Sequence, residues 1–213
     1  MKNFTQIQII PDKLKAFYLS LLDPVVRLST RWKLNPNTFT TLSFLLGLTA
    51  ALLVSLGHIR WAGGVLLLSG MFDNLDGRLA RYTGRVTKFG ALYDSTLDRY
   101  QETVFFLGLF FFYIPRYPLI HTVGLAFGMI GSFMVSYIRA RAESLGFHCH
   151  VGMVQRAERL ILLGIGCILY EILVPIVWII AVLTNMTAVQ RLLHVYKTER
   201  QETISVLPKG KDH

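Results

Sequence analysis

The chain has 213 residues, of which 53% are hydrophobic and 16% are charged. Charged residues make up about a quarter of a typical soluble domain, so this composition excludes a single soluble globule, and its apolar content excludes a disordered chain. In a soluble protein the net charge of +9 would suggest a nucleic-acid partner. Here the apolar residues fall in long runs, which indicates a membrane protein with no nucleic-acid partner.

The N-terminal segment is polar and basic and then becomes amphipathic. It lacks an apolar stretch followed by a small-residue cleavage site, so we expect no cleaved signal peptide. Residues 11–31 alternate apolar side chains with Lys13, Lys15, Asp23 and Arg27. This pattern is typical of an amphipathic helix that lies in the plane of the membrane interface.

The apolar runs predict membrane spans, which need about 20 residues each. Six such runs cover residues 38–57, 61–81, 97–114, 119–141, 157–173 and 174–193. Pro175 interrupts the apolar sequence between the last two and is expected to mark a tight turn. The sequence therefore predicts an all-α integral membrane protein with six transmembrane helices, one membrane domain over residues 1–200 and a polar tail over 201–213.

The basic residues predict the orientation in the membrane, because cytoplasmic loops retain Lys and Arg. We place the N-terminus, the second and fourth connections between spans, and the C-terminus on one side. Of the 22 basic residues, only Arg60 and Arg116 then lie on the other side. We expect a multi-pass protein of the cell (plasma) membrane with both termini in the cytoplasm.

Four aspartates around the second and third predicted spans indicate chemistry. Asp73 and Asp76 are three residues apart, and Asp94 and Asp98 are four apart, so each pair lies on one helix face. Any one of them could cap a helix or pair with a nearby arginine. Ionised groups in spans are costly and usually functional, however, and four opposed carboxylates require cations. Hard oxygen ligands of this kind suit Mg²⁺, Mn²⁺ or Ca²⁺.

These aspartates belong to a longer pattern that resembles the signature of the CDP-alcohol phosphotransferases. Every fixed position of D-x2-D-G-x2-A-R-x8-G-x3-D-x3-D is present, as Asp73, Asp76, Gly77, Ala80, Arg81, Gly90, Asp94 and Asp98. The resemblance implies a six-helix membrane enzyme, usually a homodimer. Such an enzyme transfers a substituted phosphoryl group from a CDP-linked lipid to an alcohol and releases CMP.

The same resemblance implies a role for each residue of the site. Divalent metal, as two Mg²⁺ (or Mn²⁺) ions, is expected on Asp73, Asp76, Asp94 and Asp98, with Asp98 also the general base. The donor, CDP-diacylglycerol or CDP-archaeol, is expected to contact Asn35, Pro36, Asn37, Thr38, Asp73, Gly77, Ala80, Arg81 and Thr87. This assignment is chemically sound, because paired metal ions neutralise the charge that develops on a leaving phosphate.

The second half of the chain predicts the acceptor. The segments SYIRARAE, QRAERLI and VQRL resemble those of prokaryotic phosphatidylinositol phosphate synthases, in which residues matching Arg139, Arg156 and Arg191 form the inositol 1-phosphate pocket. Guanidinium groups suit a phosphorylated acceptor. Glu143 is expected to orient Arg139 as an i,i+4 pair. That branch has Lys where Arg139 stands and an acidic residue where Gln155 stands, and neither difference removes the pocket.

Several alternatives stay open. With glycerol 3-phosphate as acceptor, the same site would make phosphatidylglycerol phosphate, and Arg141 and Arg159 could simply reflect the cytoplasmic excess of basic residues. A divalent-cation transporter would distribute acidic residues across the bilayer, whereas Glu171 alone lies near the far side. A scaffold that has lost catalysis is disfavoured by the intact signature.

Two further expectations concern packing. The phenylalanines of the third span are expected to face lipid or a dimer partner: Phe105, Phe106, Phe110, Phe111 and Phe112. The sequence His148-Cys149-His150 is too compact for its side chains to converge on a metal. It is expected to form the tip of a loop near the acceptor pocket.

Overall fold

The computed structural model describes the backbone of residues 12–206 and the side chains of residues 22–201. This part of the chain is helical, with no strand. Its α-helices are α1 (Asp12–Arg31), α2 (Pro36–Ser55), α3 (Ile59–Tyr82), α4 (Lys88–Tyr113), α5 (Leu119–Ser144), α6 (Arg156–Ile168) and α7 (Leu173–Val206). The first eleven residues and most of the predicted polar tail, 201–213, lie outside the described residues.

Side chains and proline set the starts of the helices that carry the acidic pattern. The Asn35 side chain accepts a hydrogen bond from the Asn37 amide at 3.0 Å at the start of α2, where Pro36 is the first helical residue. The Thr87 hydroxyl accepts from the Gly90 amide at 2.9 Å and caps α4. At α6, the Glu158 carboxylate accepts from the Gln155 amide at 2.7 Å.

Three helical segments of the described chain are long and apolar enough to cross a membrane: Pro36–Ser55, Leu119–Ser144 and Tyr170–Gln201. Helices α3 and α4 have 24 and 26 residues, but their charged residues lower their hydropathy. Helix α6 has 13 residues and is about 20 Å long, less than the hydrocarbon core of roughly 30 Å. The all-helical fold is confirmed, and the count of six spans stays a prediction.

The predicted turn at Pro175 is wrong in position. The chain turns earlier, through a 3₁₀ helix at Tyr170–Ile172, and Pro175 lies in the first turn of α7. Proline is tolerated there because the amide hydrogen it lacks would have no partner within the helix. The last helix is therefore longer than the span predicted for it.

Small residues let the helices approach closely. Helix α2 packs on α3 and α4, α6 packs on α3, and α5 packs on α7 and α4. A Cβ atom added at Gly63 would lie 2.5 Å from the carbonyl oxygen of Gly164, and one at Gly108 would collide with the backbone at Ala51. These contacts mark the α3–α6 and α2–α4 crossings, where the backbones nearly touch.

The interior between these helices contains much of the aromatic content of α4. Phe105, Phe106 and Phe112 are 1%, 1% and 3% exposed, so the expectation that they face lipid or a partner is wrong. They lie on the face of α4 that packs against neighbouring helices, together with Leu109 and Tyr113. Phe111 projects outward, at 70% exposure, as predicted.

Helix α1 is joined to the bundle at its C-terminal half. Leu22 and Val26 pack in a cluster with Phe39, Leu75 and Leu79. Asp23 accepts a hydrogen bond from Arg78 of α3 at 2.6 Å. This contact brings α1 beside the part of α3 that carries the acidic pattern, and its location in the membrane interface stays a prediction.

Candidate active site

Three of the four aspartates converge between α3 and α4. One carboxylate oxygen from each of Asp73, Asp76 and Asp94 lies within 4.8 Å of the other two. Oxygen ligands at this spacing fit a hard divalent cation such as Mg²⁺ or Mn²⁺. The predicted opposition of carboxylates across the short α3–α4 connection is therefore present in the structure.

A neighbouring hydroxyl fixes the most buried of these carboxylates. Asp76 is 6% exposed, and Thr40 of α2 donates a hydrogen bond to its Oδ2 at 2.6 Å. The next residue of α2, Thr41, lies 3.0 Å from the Tyr93 hydroxyl of α4, oxygen to oxygen. Helix α2 thus contacts both α3 and α4 at the cluster, and its Thr40 orients the Asp76 carboxylate.

The fourth aspartate, Asp98, lies beside Asp73 of this group and contacts an arginine. Asp98 Oδ1 is 2.8 Å from Nη2 of Arg156, whose Nη1 donates to Asp73 Oδ2 at 2.8 Å. Arg156 therefore bridges the proposed general base and the metal cluster. Its predicted role in binding the acceptor phosphate would place that phosphate directly beside the aspartates.

The residues predicted to bind the donor surround the cluster. A Cβ atom at Gly90 would lie 2.9 Å from Thr87 Oγ1 and 3.4 Å from Asn37 Oδ1, so the starts of α2 and α4 adjoin. Arg81 folds back over Gly77, where an added Cβ would meet its Nη1 at 3.3 Å. The absence of a side chain at Gly90 and Gly77 thus lets the Thr87 hydroxyl and the Arg81 guanidinium lie close to the backbone.

The remaining predicted donor residues lie in the same turns. Asn35 and Pro36 begin α2 and are followed by Thr38, which is exposed, while Ala80 lies one turn after Asp76 on α3 and is half-buried. The structure thus groups the predicted donor residues around the aspartates.

The other two predicted acceptor residues meet at the α5–α6 loop. Arg139 donates to Glu143 at 2.9 Å, as predicted, and its Nη2 lies 3.3 Å from His150 Nδ1. Arg191 is buried and donates to the backbone carbonyls of Val151, at 2.9 Å, and Val135. Through these two bonds Arg191 of α7 links the loop to α5. The sequence did not predict this structural contact.

The loop around the histidines is less exposed than expected at its centre. Cys149 is fully buried, while His148 and His150 on either side are exposed. Burial raises the pKa of the Cys149 thiol above its ordinary value, against the opposing effect of the Arg191 charge. The Cys149 thiol is therefore a packed side chain beneath the loop.

The sequence analysis missed one pair beside the aspartates. Arg159 donates through Nε and Nη2 to the two carboxylate oxygens of Glu102, at 2.7 and 2.8 Å. Glu102 follows Asp98 by four residues, and Arg159 follows Arg156 by three. Those helical spacings were the available signal, because they place the second pair on the same helix faces as the first.

Comparisons with known proteins match most of the chain. The family model described as CDP-alcohol phosphatidyltransferase matches residues 33–190. Phosphatidylinositol phosphate synthase of Corynebacterium glutamicum is 34% identical over 200 residues, covering 89% of this chain and 90% of the relative. Archaetidylinositol phosphate synthase of Methanothermobacter thermautotrophicus is 32% identical over 201 residues, covering 88% and 98%.

Solved structures of a related enzyme have the same fold. The Mycobacterium tuberculosis phosphatidylinositol phosphate synthase with CDP-DAG bound is 32% identical, with a TM-score of 0.75 over 81% of this chain and 92% of that one. The same enzyme in complex with manganese and citrate is 31% identical, with a TM-score of 0.76 over 81% and 88%.

Proposed function

This chain belongs to the CDP-alcohol phosphatidyltransferase family, and we propose that it transfers the phosphatidyl or archaetidyl group of a CDP-linked lipid to inositol 1-phosphate. One observation carries the proposal. Three aspartates of the family signature bring carboxylate oxygens within 4.8 Å of one another, in a chain whose relatives are named inositol phosphate synthases. The relatives favour neither glycerol 3-phosphate as acceptor nor cation transport.

The residues divide the chemistry between them. In the reaction, the acceptor's hydroxyl oxygen forms a bond to the phosphorus that carries the lipid. The bond from that phosphorus to the oxygen bridging it to CMP breaks, and CMP leaves with this oxygen. Asp98 accepts the hydroxyl proton, because a carboxylate within hydrogen-bond reach can act as general base. Arg156, 2.8 Å from Asp98, holds that carboxylate in place.

The metal is proposed to bind to Asp73, Asp76 and Asp94, with Asp98 as a further ligand. The carboxylate set fits Mg²⁺ or Mn²⁺, and two ions are proposed. When bound, the metal neutralises the charge that develops on the leaving phosphate. The hydrogen bond from Thr40 keeps Asp76 directed at the cluster.

The donor and acceptor are proposed to approach from opposite sides of the aspartates. Gly77, Arg81, Thr87 and the start of α2 would receive the cytidine diphosphate. The acceptor phosphate would contact Arg139, Arg156 and Arg191, whose guanidinium groups suit a phosphate dianion. Arg139 supports this assignment because its guanidinium lies beside the α5–α6 loop at His150. Arg191 is buried and donates to the Val151 carbonyl there, so it would exchange that bond for one to the phosphate.

We also propose the membrane location, orientation and assembly of the protein. Residues 1–200 form one domain of the plasma membrane with six crossing helices, both termini cytoplasmic, and α1 in the interface. The chain is also proposed to form a homodimer. The three apolar segments support a membrane location, and the distribution of basic residues supports the orientation.

The test is CMP release by purified protein with CDP-diacylglycerol and Mg²⁺. Inositol 1-phosphate, glycerol 3-phosphate and free inositol are compared as acceptors, and CDP-archaeol as donor. We expect release with inositol 1-phosphate alone. Release with glycerol 3-phosphate would move the protein to that reaction, and no release with any acceptor would contradict the proposal.

A further inference from the structure

Two charged pairs join α6 to α4 beside the aspartate cluster. Arg156 contacts Asp98, with 2.8 Å between Nη2 and Oδ1. One turn further along both helices, Arg159 binds Glu102 through two parallel hydrogen bonds. The two pairs connect the same faces of α4 and α6. We call Arg156–Asp98 the first rung and Arg159–Glu102 the second, and the first rung contains the residue proposed as general base.

The arginine of the second rung is more deeply buried than that of the first, and the two carboxylates are buried alike. The Arg159 side chain is fully buried and that of Glu102 is 14% exposed, whereas Arg156 is 17% exposed. Leu66, Phe105 and Leu163, all nearly inaccessible, line the gap beside Glu102 and Arg156. Water is thus largely excluded from this pair, and an apolar environment strengthens the attraction between its charges.

Stability alone does not account for this pair. Arg159 Nη1 is buried and has no hydrogen-bond partner within the described part of the chain, and a buried unpartnered donor is destabilising. Replacing a buried ion pair by apolar side chains of similar size is often neutral or stabilising. What apolar side chains would not reproduce is a fixed direction and rotation between the two helices.

We propose that Glu102 and Arg159 are positioning residues for Asp98. Their two-point contact fixes the first turn of α6 against α4, because a planar guanidinium on a carboxylate sets both distance and orientation. Arg156 lies one turn earlier on the same helix and is thereby kept on Asp98. The proposal rests on the proposed function, in which Asp98 accepts the proton.

The role has a kinetic consequence. Loss of the second rung frees the first turn of α6, so Arg156 no longer fixes the Asp98 carboxylate during proton transfer. The metal cluster stands on α3 and α4, and the proposed donor contacts lie on α2, α3 and the start of α4. Arg156 also contacts Asp73, but Asp76 and Asp94 keep their places on α3 and α4, so metal binding is retained. The turnover number therefore falls, while the KM for the CDP-lipid stays unchanged.

The test is the double variant Glu102→Met/Arg159→Met, because methionine fills irregular apolar space. The wild type and the variant are purified in detergent and compared for thermal unfolding, Mn²⁺ binding and steady-state kinetics. We expect retained Mn²⁺ binding, with the unfolding temperature and donor KM of the wild type. We expect a kcat lower by about 10- to 100-fold, the size of effect typical of residues that support a site.

Other outcomes would overturn the proposal. A folded double variant with the wild-type kcat would show that the pair has no role in turnover, and loss of Mn²⁺ binding would show that it supports the metal cluster instead. If the double variant does not fold, Arg159→Lys decides, since lysine keeps the charge but makes a point contact. A reduced kcat with unchanged donor KM supports positioning, and the wild-type kcat refutes it.

The wild-type protein separates this proposal from the broader one. A wild type that releases no CMP with any acceptor would contradict the proposed function. An active wild type with an equally active double variant would contradict only the positioning role of Glu102 and Arg159.

Discussion

The charged residues of the site differ in the ion pairs and hydrogen bonds that they make within the protein. Arg156 forms ion pairs with both Asp73 and Asp98, one positive charge shared between two carboxylates, while Thr40 donates a hydrogen bond to Asp76. Asp94 completes the group of three with an oxygen directed toward the others. The cluster therefore places a net negative charge where a divalent cation would bind, beside a carboxylate held by an arginine. In the proposed mechanism, metal binding depends mainly on Asp73, Asp76 and Asp94, and proton transfer depends on Asp98.

Asp98→Asn tests this separation. The amide keeps the shape of the carboxylate but cannot accept the hydroxyl proton, so we expect turnover to fall by at least about 10²-fold, as for loss of a general base. Binding of Mn²⁺ and CDP-diacylglycerol should survive, because Asp73, Asp76 and Asp94 are unchanged. Single-turnover CMP release and Mn²⁺ titration measure the two properties. Near-normal turnover in the variant would remove Asp98 as the base.

Arg139→Met tests the acceptor pocket, and Arg141→Met is its matched control. Arg139 reaches the α5–α6 loop at His150, whereas Arg141 contacts Ser144, three residues further along the same helix. We expect Arg139→Met to raise the KM for inositol 1-phosphate by roughly 10-fold or more, since a hydrogen bond to a charged group contributes about 1.5–3 kcal/mol. The donor KM should not change.

The control should leave both KM values near those of the wild type. Equal effects of the two substitutions on the acceptor KM would mean that the positive charge of this membrane face, rather than a pocket at Arg139, attracts the phosphate. Steady-state kinetics with each substrate varied in turn distinguish these outcomes.

At the scale of helices, the site depends on how closely α3 approaches its neighbours. The half of α3 that contains the aspartates packs against α2. The other half packs on α6 through Gly63 and Gly164. Since lipid supplies no hydrophobic drive between apolar helices, such contacts depend on close packing of small residues. The α3–α6 crossing therefore holds α6 at the position from which Arg156 and Arg159 contact Asp98 and Glu102 of α4.

Gly63→Ala is expected to destabilise this crossing, with Gly64→Ala as control. The added methyl group at Gly63 would meet the Gly164 carbonyl oxygen at 2.5 Å, whereas the one at Gly64 meets no atom within 4 Å. Overpacking a tight site typically costs about 1–3 kcal/mol. A thermal unfolding scan in detergent should show a lower midpoint for Gly63→Ala and an unchanged or higher one for Gly64→Ala, because alanine favours the helix.

Equal midpoints in the two variants would mean that the helices adjust without cost and that Gly63 is not needed for the crossing. A lowered midpoint in both would point to the helix backbone rather than to the α3–α6 contact.

The parts of this architecture that the sequence predicts are those encoded by local spacing. Asp73 and Asp76 share a helix face because they are three residues apart, and the i,i+4 contact of Arg139 with Glu143 follows from the same rule. The meeting of Glu102 with Arg159 joins residues 57 positions apart. No helical period relates residues on different helices, so this contact needs the tertiary structure.

Burial was similarly unpredictable in the C-terminal part of α4, which is apolar on every side. The run of phenylalanines in α4 has no polar face to show which side is inside, so periodicity did not separate buried Phe105 from exposed Phe111. The turn before α7 was misplaced because proline marks helix starts as well as turns. Both errors arise where local chemistry is compatible with two structures.

Across the whole molecule, charge separates the two ends of the bundle. Helix α3 is about 36 Å long and has Arg60 at one end and the aspartate cluster near the other. Arg60 lies 3.5 Å from Glu171, while Arg116 stacks over the Phe112 ring. Most basic residues lie toward the aspartate end. This asymmetry is the basis for placing the site on the cytoplasmic side, where CDP-linked substrates would reach it.

Single cysteines introduced at the two ends test this orientation. Arg116 and Lys88 are both exposed, and native Cys149 and Cys167 are fully buried, so neither native thiol competes. The raised pKa of Cys149 lowers its thiolate fraction at neutral pH and slows its reaction further. In intact cells, a membrane-impermeant maleimide should label Arg116→Cys but label Lys88→Cys only after lysis. The reverse pattern would place the site outside the cell and contradict the orientation drawn from the basic residues.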